Sequence, residues 1–256
     1  MKKIGYLLLI ALFPAHILLA YGPDGHRAIA SIAQSELSVG ARKKIDKLLG
    51  TNGIIYTSTW ADEVRSEPSY SYSYPWHYQN LKANCPPDEL IKLWNNPTAE
   101  GEHLFFAIGQ MLTRLKQNNQ DAEALRFLIH LTGDLYQPMH LGREADQGGN
   151  RVGYTWFGQQ SNIHRLWDSQ LIGHHQMSYT ELARYLADSF APQKKELKKR
   201  SVTDDLLDSY QLCNRIYHYD HTDTNNYLYF YRFNADLNLQ VYKAGLRLAQ
   251  FLESIY

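Results

Sequence analysis

Residues 127–140 read Phe127-Leu-Ile-His130-Leu-Thr-Gly-Asp134-Leu-Tyr-Gln137-Pro138-Met-His140, and this stretch decides the fold. His130 and Asp134 are four residues apart, so in a helix their side chains lie on one face, one turn apart. Pro138 lacks the amide hydrogen that a helix interior needs, so the helix is expected to end near Gln137. His140 follows on the turn, and the segment therefore offers three metal-binding groups in two directions.

Helical patterns of apolar residues lie on both sides of this stretch. Asp121 is expected to cap the central helix, and the aromatic segment 70–78 is expected to be an ordered loop because Pro75 interrupts it. Strand signals are few, so we expect an all-α fold, in the form of a single mainly α-helical domain. The predicted helices cover residues 27–36, 41–49, 59–68, 102–116, 163–172, 180–190 and 235–255, with a short segment at 90–94 and a turn at 148–150.

A second His/Asp pair has the same spacing as the first. His164 and Asp168 lie four residues apart in the predicted helix 163–172. Two helices that each direct such a pair inward are a common way for helical proteins to build a metal site. Imidazole nitrogens with carboxylate oxygens and no thiolate favour Zn²⁺, with Mn²⁺ or Fe as alternatives.

Other ligand-capable side chains accompany the two pairs, namely His26, Asp62 and His77. Each has an ordinary structural explanation when taken alone: His26 as a helix-start residue, His77 as a satisfied core histidine, and each His/Asp pair as a surface hydrogen bond. Their occurrence together favours one metal site over several coincidences.

The first twenty residues have the pattern of a secretory signal. Lys2 and Lys3 precede a largely apolar run, and Ala20 would be the last residue before cleavage. We therefore divide the chain into a signal peptide at 1–20 and one domain at 21–256, and expect a secreted or periplasmic protein. An uncleaved N-terminal anchor is the alternative.

The charge balance argues against a protein that binds duplex DNA through a broad basic face. The chain has 26 basic and 26 acidic residues, and loss of Lys2 and Lys3 leaves 24 basic residues and a net charge near −2. The basic cluster at 194–200 is interpreted as a solvated helix face and not as a nucleic-acid patch.

The chain has two cysteines, Cys85 and Cys213. In an exported protein an even pair suggests one disulfide, which would close a long loop and stabilise the fold by about 4–5 kcal/mol. The alternative is two buried free thiols.

These motifs occur in an order that resembles the S1/P1 nuclease family across most of residues 21–256. The resemblance is carried by Tyr21-Gly-x-x-Gly-His26, Trp60-Ala-Asp62, Trp76-His77-Tyr78, His130-Leu-Thr-Gly-Asp134-Leu-x-Gln-Pro-x-His140, Gly148-Gly-Asn150 and Asn162-x-His164-x-x-Trp-Asp168. It implies a mainly helical catalytic domain of the phospholipase C/P1 nuclease type, with three zinc ions. The activity it implies is that of a hydrolase acting on phosphoric esters, an endonuclease and 3′-nucleotidase that leaves 5′-phosphates.

The resemblance also implies a ligand set for each zinc ion. The three sets are Asp62, His77, His130 and Asp134; the mature N-terminal residue Tyr21, His26 and the bridging Asp134; and His140, His164 and Asp168. The family usually begins with Trp where this chain has Tyr21. Main-chain ligation by the first residue should survive that change, while its packing can differ.

The resemblance also implies catalytic and substrate-binding roles for five residues. Asp62 would orient the attacking water or accept its proton as well as bind metal, and Arg65 and Asn150 would act on the scissile phosphate. Tyr78 would stack on a base of single-stranded RNA or DNA, or of a 3′-nucleotide. Asn80 stands where relatives often carry Asp, so its role in base binding is a weaker expectation. A monomer without a stable membrane partner after signal cleavage is the default expectation.

Two alternatives use the same residues. A phospholipase C-like enzyme would share the zinc cluster, although Asp168 and the Trp60-Ala-Asp62 motif speak against that branch, which usually has Glu at the position of Asp168. An exported zinc-binding protein without enzymatic activity would need no bridging ligand such as Asp134.

Overall fold

A computed structural model describes residues 21–97 and 103–256, so the expected signal peptide lies outside the described residues. The helices are α1 Pro23–Glu36, α2 Val39–Leu49, α3 Gly53–Tyr56, α4 Trp60–Val64, α5 Pro87–Asn95, α6 Leu104–Gln117, α7 Ala122–Leu135, α8 Ile163–Arg165, α9 Leu171–His174, α10 Tyr179–Phe190, α11 Lys194–Leu197, α12 Val202–Tyr217 and α13 Asn226–Glu253. The strands are β1 Gly153–Trp156 and β2 Gln159–Asn162. The prediction of a mainly α-helical fold is confirmed.

Helix α7 forms the centre of the molecule, and its ends follow from the sequence. The side chain of Asp121 caps the helix by accepting from the Ala124 amide, as predicted. The helix ends at Leu135, two residues before the predicted end, and a short 3₁₀ turn at Pro138–Leu141 carries His140 onward. Every residue from Phe127 to Leu141 is buried, because α7 lies between α6, α13 and α1.

The long helix α13 packs along α1, and both contact α10. Fully buried apolar side chains such as Ile29, Leu128 and Leu248 join these helices in one continuous core. Burial of each such side chain contributes about 2 kcal/mol before conformational entropy is subtracted. The packing of α1 against α7 and α13 brings the start of α1, including His26, to the middle of the molecule.

Several elements differ from the prediction. Helix α12 was not predicted, although Ser201 and Asp204 form a capping box at its start, and α13 begins nine residues earlier than expected. The expected loop at 70–78 lies almost entirely in a 3₁₀ helix at Pro68–His77.

The expected helix 163–172 divides into α8, a π-helical turn at Leu166–Gln170 and α9. The two short strands form an antiparallel hairpin, with Gly153 opposite Asn162 and Trp156 opposite Gln159. Their four-residue length and polar second strand explain why no strand pattern was apparent.

The expected disulfide is absent, and both cysteines are buried free thiols. The Cys85 Sγ lies 3.6 Å from the Pro86 carbonyl oxygen, and the Cys213 Sγ lies 3.7 Å from that of Leu141. Because each thiol faces a backbone carbonyl and not the other thiol, the alternative of two free cysteines describes this structure.

The structure also bears on two points about the surface, the presence of a membrane-spanning helix and the basic cluster at 194–200. Within residues 21–97 and 103–256, no helix combines the length and apolar character needed to cross a membrane. In the basic cluster at 194–200, Lys194 and Lys198 each lie 2.7 Å from a carboxylate oxygen of Glu36. These basic groups therefore hold α11 against α1.

Candidate metal centre

Buried histidine and aspartate side chains gather in three groups within the described parts of the chain. In each group, one ligand atom from every residue lies within 4.8 Å of the others. The groups are His26, His130 and Asp134; Asp62, His77 and His130; and His140, His164 and Asp168. The structure thus brings together all the side chains that the sequence analysis named as metal ligands.

Asp134 belongs to the first group and also contacts His77 and His130 of the second group. Its Oδ2 is 3.0 Å from His77 Nδ1 and 3.3 Å from His130 Nε2, while its Oδ1 is 3.4 Å from His26 Nε2. The carboxylate is completely buried. Burial favours its neutral form, but the three histidines hold the pKa of Asp134 well below its usual value. Asp134 therefore carries a negative charge that two separate groups can use.

His130 connects the same two groups and is oriented by the backbone. Its Nδ1 lies 2.7 Å from the Ser58 carbonyl oxygen, which requires a proton on Nδ1 and leaves Nε2 directed at the carboxylates. Burial would lower the pKa of His130, but Asp134 and Asp62 raise it to about 9 in the metal-free centre. Burial lowers the pKa of His77 and of His26.

The third group is oriented by two further contacts. His164 Nε2 lies 3.1 Å from Asp168 Oδ2, and His164 Nδ1 lies 2.7 Å from the Gly148 carbonyl oxygen. Gln137, buried beside the centre, donates from Nε2 to Asp168 Oδ1. His140 Nε2 is 3.5 Å from the same carboxylate oxygen. The ligand orientation in this group therefore depends on Gln137 and on the turn at 148–150.

Two glycines make room for the histidines. A Cβ atom on Gly133 in α7 would lie 2.7 Å from His26 Nδ1, so the imidazole rests directly on the helix backbone. Gly148 has a φ of +65°, a conformation that glycine adopts without strain and that directs its carbonyl at His164.

The donor atoms fit a bound cation. The ring nitrogens of His26, Nε2 of His77, Nδ1 of His140 and Oδ1 of Asp134 are buried and have no hydrogen-bond partner among the described residues. Buried polar atoms without a partner are costly. His26 Nε2 and His140 Nδ1 lie 3.4 and 3.7 Å from Asp134 Oδ1, so three of these atoms face one another as the ligands of a cation would. Nitrogen and carboxylate oxygen donors without thiolate suit zinc.

Tyr21 lies beside these groups. Its side chain is completely buried, its ring meets the His26 ring edge-on at 6.4 Å, and the Gly22 amide donates to the Asp168 carbonyl oxygen at 2.5 Å. The first residue of the expected mature chain is therefore held between the first and third groups.

A cavity of about 320 Å³ opens above the centre and contains the remaining predicted site residues. The lining residues are Arg65, Tyr74, His77, Tyr78, Asn80, His140, Gln147, Asn150 and His164. The guanidinium of Arg65 lies 3.1 Å from Asp62 Oδ1 and 4.4 Å from the centre of the Tyr74 ring. The side-chain amide of Asn150 donates to the Gln147 carbonyl at 2.8 Å.

The residues that orient the ligands, Ser58, Gly148 and Gln137, were not predicted to do so from the sequence. The backbone carbonyls of Ser58 and Gly148 have no signature in the sequence, because any residue supplies a carbonyl. Gln137 stands inside the quoted motif and was the one detectable signal, since a polar residue is unusual in a segment that is otherwise expected to be buried.

Comparison with known proteins agrees with this geometry. A model of the S1/P1 nuclease family matches residues 21–256. The chain is 30% identical over 173 residues to "Endonuclease 2" of Arabidopsis thaliana, covering 63% of this chain and 59% of that protein. It is 31% identical over 172 residues to "Nuclease P1" of Penicillium citrinum, covering 63% of each.

"Nuclease S1" of Aspergillus oryzae is 27% identical over 163 residues, covering 61% of this chain and 56% of that protein. The chain thus spans about six tenths of the length of the curated relatives it matches. From the match over residues 21–256, the resemblance first seen in the ordered motifs is confirmed, and the chain belongs to the S1/P1 nuclease family.

Proposed function

We propose that this chain is a zinc-dependent phosphodiesterase that cleaves single-stranded RNA and DNA to 5′-phosphate products and also removes the phosphate of 3′-nucleotides. The observation that carries the proposal is that His77, His140 and His164, members of two of the three His/Asp groups, line one cavity together with Arg65, Tyr78 and Asn150. A cavity of about 320 Å³ is at the lower end of the range for small-ligand sites, which suits one nucleotide unit.

The three groups would each hold one zinc ion, with Asp134 shared and Tyr21 completing the group of His26. When bound, zinc lowers the pKa of a coordinated water and stabilises negative charge on a phosphate. Asp62 Oδ1 lies 3.1 Å from Arg65 and 3.8 Å from His130 Nε2, so its carboxylate would orient a water or accept its proton beside the metal groups.

Arg65 supplies positive charge on the cavity wall. Its side chain is about nine-tenths buried, and its contacts with Asp62 and the Tyr74 ring fix the guanidinium in place. A fixed guanidinium binds two oxygens of a phosphate at once, and less side-chain freedom is lost on binding. Because the 26 basic and 26 acidic residues of the chain cancel, this local positive charge is important for an anionic substrate.

Tyr78 would bind the base. It follows His77 directly, lines the cavity and is half-buried, so one ring face is available for stacking. Asn80 lines the same cavity and would contribute a hydrogen bond to the base. Stacking does not read the base identity, which favours broad substrate use.

We further propose that the chain is exported, cleaved after Ala20 and monomeric. Cleavage at that position is what would place a free amino group at Tyr21, beside His26 and Asp168.

The test uses exported protein with its N-terminus checked by mass spectrometry. Zinc per chain is measured by elemental analysis, and products are assayed on single-stranded RNA, single-stranded DNA, 3′-AMP and phosphatidylcholine. Three zinc ions with 5′-phosphate products support the proposal. Lipid cleavage alone would assign a phospholipase, and zinc without turnover would assign a zinc-binding protein.

A variant pair tests the stacking residue. Tyr78→Ala should raise KM for nucleotide substrates about tenfold or more, since one stack contributes roughly 1–3 kcal/mol. Tyr231→Ala removes a tyrosine that is 82% exposed and does not line the cavity, so its KM should stay that of the wild type.

A further inference from the structure

The side chain of Tyr21 makes one specific polar contact. Its hydroxyl donates to the Tyr136 carbonyl oxygen at 3.0 Å, in a fully buried environment. Tyr21 is also where this chain departs from the tryptophan usual at the start of the family. The hydroxyl bond is therefore a property of the tyrosine that this chain has at residue 21.

Tyr136 is a junction between the metal centre and the C-terminal helices. It follows Asp134 by two residues, at the end of α7, and its carbonyl oxygen also accepts from Gln240 Nε2 at 3.2 Å. Its own hydroxyl donates to Asp205 Oδ2 at 2.7 Å and accepts from Arg247 Nε at 3.2 Å. Both polar ends of Tyr136 are thus fixed by side chains of α12 and α13.

Asp205 is itself fixed by three cations. Its oxygens lie 2.9 Å from Arg200 Nε, 3.0 Å from Lys243 Nζ and 3.1 Å from Arg247 Nη2. Asp205, Lys243 and Arg247 are all buried, so the network is poorly screened by solvent and holds Tyr136 in one position.

We propose that the Tyr21 hydroxyl is a positioning group, which fixes the first residue of the mature chain at the His26–Asp134 group through its bond to Tyr136. The proposal rests on the proposed function, since it assumes a zinc ion held by the mature N-terminus. The ring of Tyr21 lies beside the His26 ring, and its hydroxyl donates to a carbonyl whose position the α12–α13 network determines.

The physical consequence concerns the zinc ion bound with the N-terminal residue. A terminal residue has one covalent neighbour and would otherwise sample several positions, which weakens a ligand at its amino group. Side-chain contacts that orient ligands change metal affinity about 10- to 100-fold. Loss of the hydroxyl should therefore weaken one zinc ion of the three.

The experiment compares Tyr21→Phe with Tyr154→Phe in exported protein whose N-terminus has been checked by mass spectrometry. Tyr154 is also buried, and its hydroxyl accepts from Asn226 Nδ2 at 3.1 Å on the hairpin, so Tyr154→Phe loses one buried hydrogen bond away from the metal centre. Zinc is removed with graded concentrations of a chelator and counted at each step. Thermal unfolding of the metal-free proteins gives the structural cost of each substitution.

The expected result is that Tyr21→Phe releases one zinc ion at a free-zinc concentration about tenfold higher than wild type, while the other two zinc ions are released as in wild type. Tyr154→Phe should release all three as wild type does. Identical zinc release in Tyr21→Phe and wild type would overturn the inference, as would equal weakening of zinc in both variants or a mature chain that does not begin at Tyr21. A wild-type protein without zinc would overturn the proposed function and this inference together, whereas three zinc ions with no effect of Tyr21→Phe overturn this inference alone.

Discussion

The protein buries two clusters of charged side chains, and they are built in opposite ways. In the network of α12 and α13, Asp205 accepts from Tyr136 and faces Arg200, Lys243 and Arg247. Around Asp134, ring nitrogens and a carboxylate oxygen converge without completing their hydrogen bonds among the described residues. The first cluster is satisfied by the protein itself, and the second needs a cation.

This difference separates a structural cluster from a functional one on physical grounds. Both clusters contain shifted carboxylates despite burial. The pKa of Asp134 is lowered by His130 and by hydrogen bonds from His26 and His77, and that of Asp205 is lowered by Lys243, Tyr136 and Arg200. A shifted pKa therefore does not identify the functional cluster. The unsatisfied donor atoms and the cavity above them do.

The largest effect is expected from Asp134→Asn. An amide cannot replace a bridging carboxylate, so the variant should lose two zinc ions and at least about a thousandfold in turnover. Elemental analysis and product assays give both quantities. Asp121→Asn is the matched control, because Asn also caps a helix and Asp121 lies at the far end of α7. Full zinc content and activity in Asp134→Asn would refute the assignment of the centre.

Removal of zinc is expected to destabilise the metal centre around Asp134 and not the Asp205 network. At a zinc concentration one hundred times the dissociation constant, each occupied site stabilises the fold by about 2.7 kcal/mol. Chelation should therefore lower Tm by at least about 5 °C in a domain of this size. Scanning calorimetry with and without chelator measures the shift, and a Tm that is independent of zinc would contradict a structural contribution of the metal.

Breaking the Asp205 network of α12 and α13 should lower the free energy of unfolding without removing zinc. Asp205→Asn leaves the buried Arg247 without its carboxylate partner and leaves Lys243 paired with Asp208 alone, at 2.7 Å, and should lower the free energy of unfolding by about 3 kcal/mol. Denaturant titration of metal-free protein measures this quantity. Asp236→Asn breaks the exposed pair with Arg215 and should cost less than about 1 kcal/mol. An equal loss in the free energy of unfolding for the two variants would mean that the buried network stabilises the fold no more than an exposed ion pair does.

The smallest effect concerns pH. Burial would raise the pKa of Asp205, but Lys243, the Tyr136 hydroxyl and Arg200 lower it below its usual value. A carboxylate with a lowered folded-state pKa stabilises the fold above its unfolded pKa of about 3.9, and this contribution is lost as pH falls through the folded pKa. The stability difference between metal-free wild type and Asp205→Asn should thus be constant above pH of about 5 and shrink in more acidic solution. Unfolding curves across this range check it, and a difference that grows towards acid would show the opposite linkage.

The sequence predicted the metal centre better than the satisfied cluster. The i, i+4 spacing of His130 with Asp134 and of His164 with Asp168 survives in the structure, because helical geometry converts spacing into proximity. Asp205, Lys243 and Arg247 gave no such signal, since charged residues on helices usually face solvent and α12 was not predicted at all.

Two local errors also have physical causes. The serines and Pro75 at 70–78 suggested a loop, but 3₁₀ turns accommodate proline and need only short-range hydrogen bonds. The expected disulfide rested on an even number of cysteines, and the direction of a thiol depends on packing that the sequence does not show.

Gly133 has a consequence for how this protein can vary. A helical glycine costs about 1 kcal/mol relative to alanine, and here the missing methyl is the space that the His26 imidazole occupies. The separation between α1 and α7 is therefore limited by backbone and ring and not by an adjustable side chain. A side chain added at residue 133 would push α1 away from α7 and separate His26 from Asp134, so these two helices act as one rigid unit.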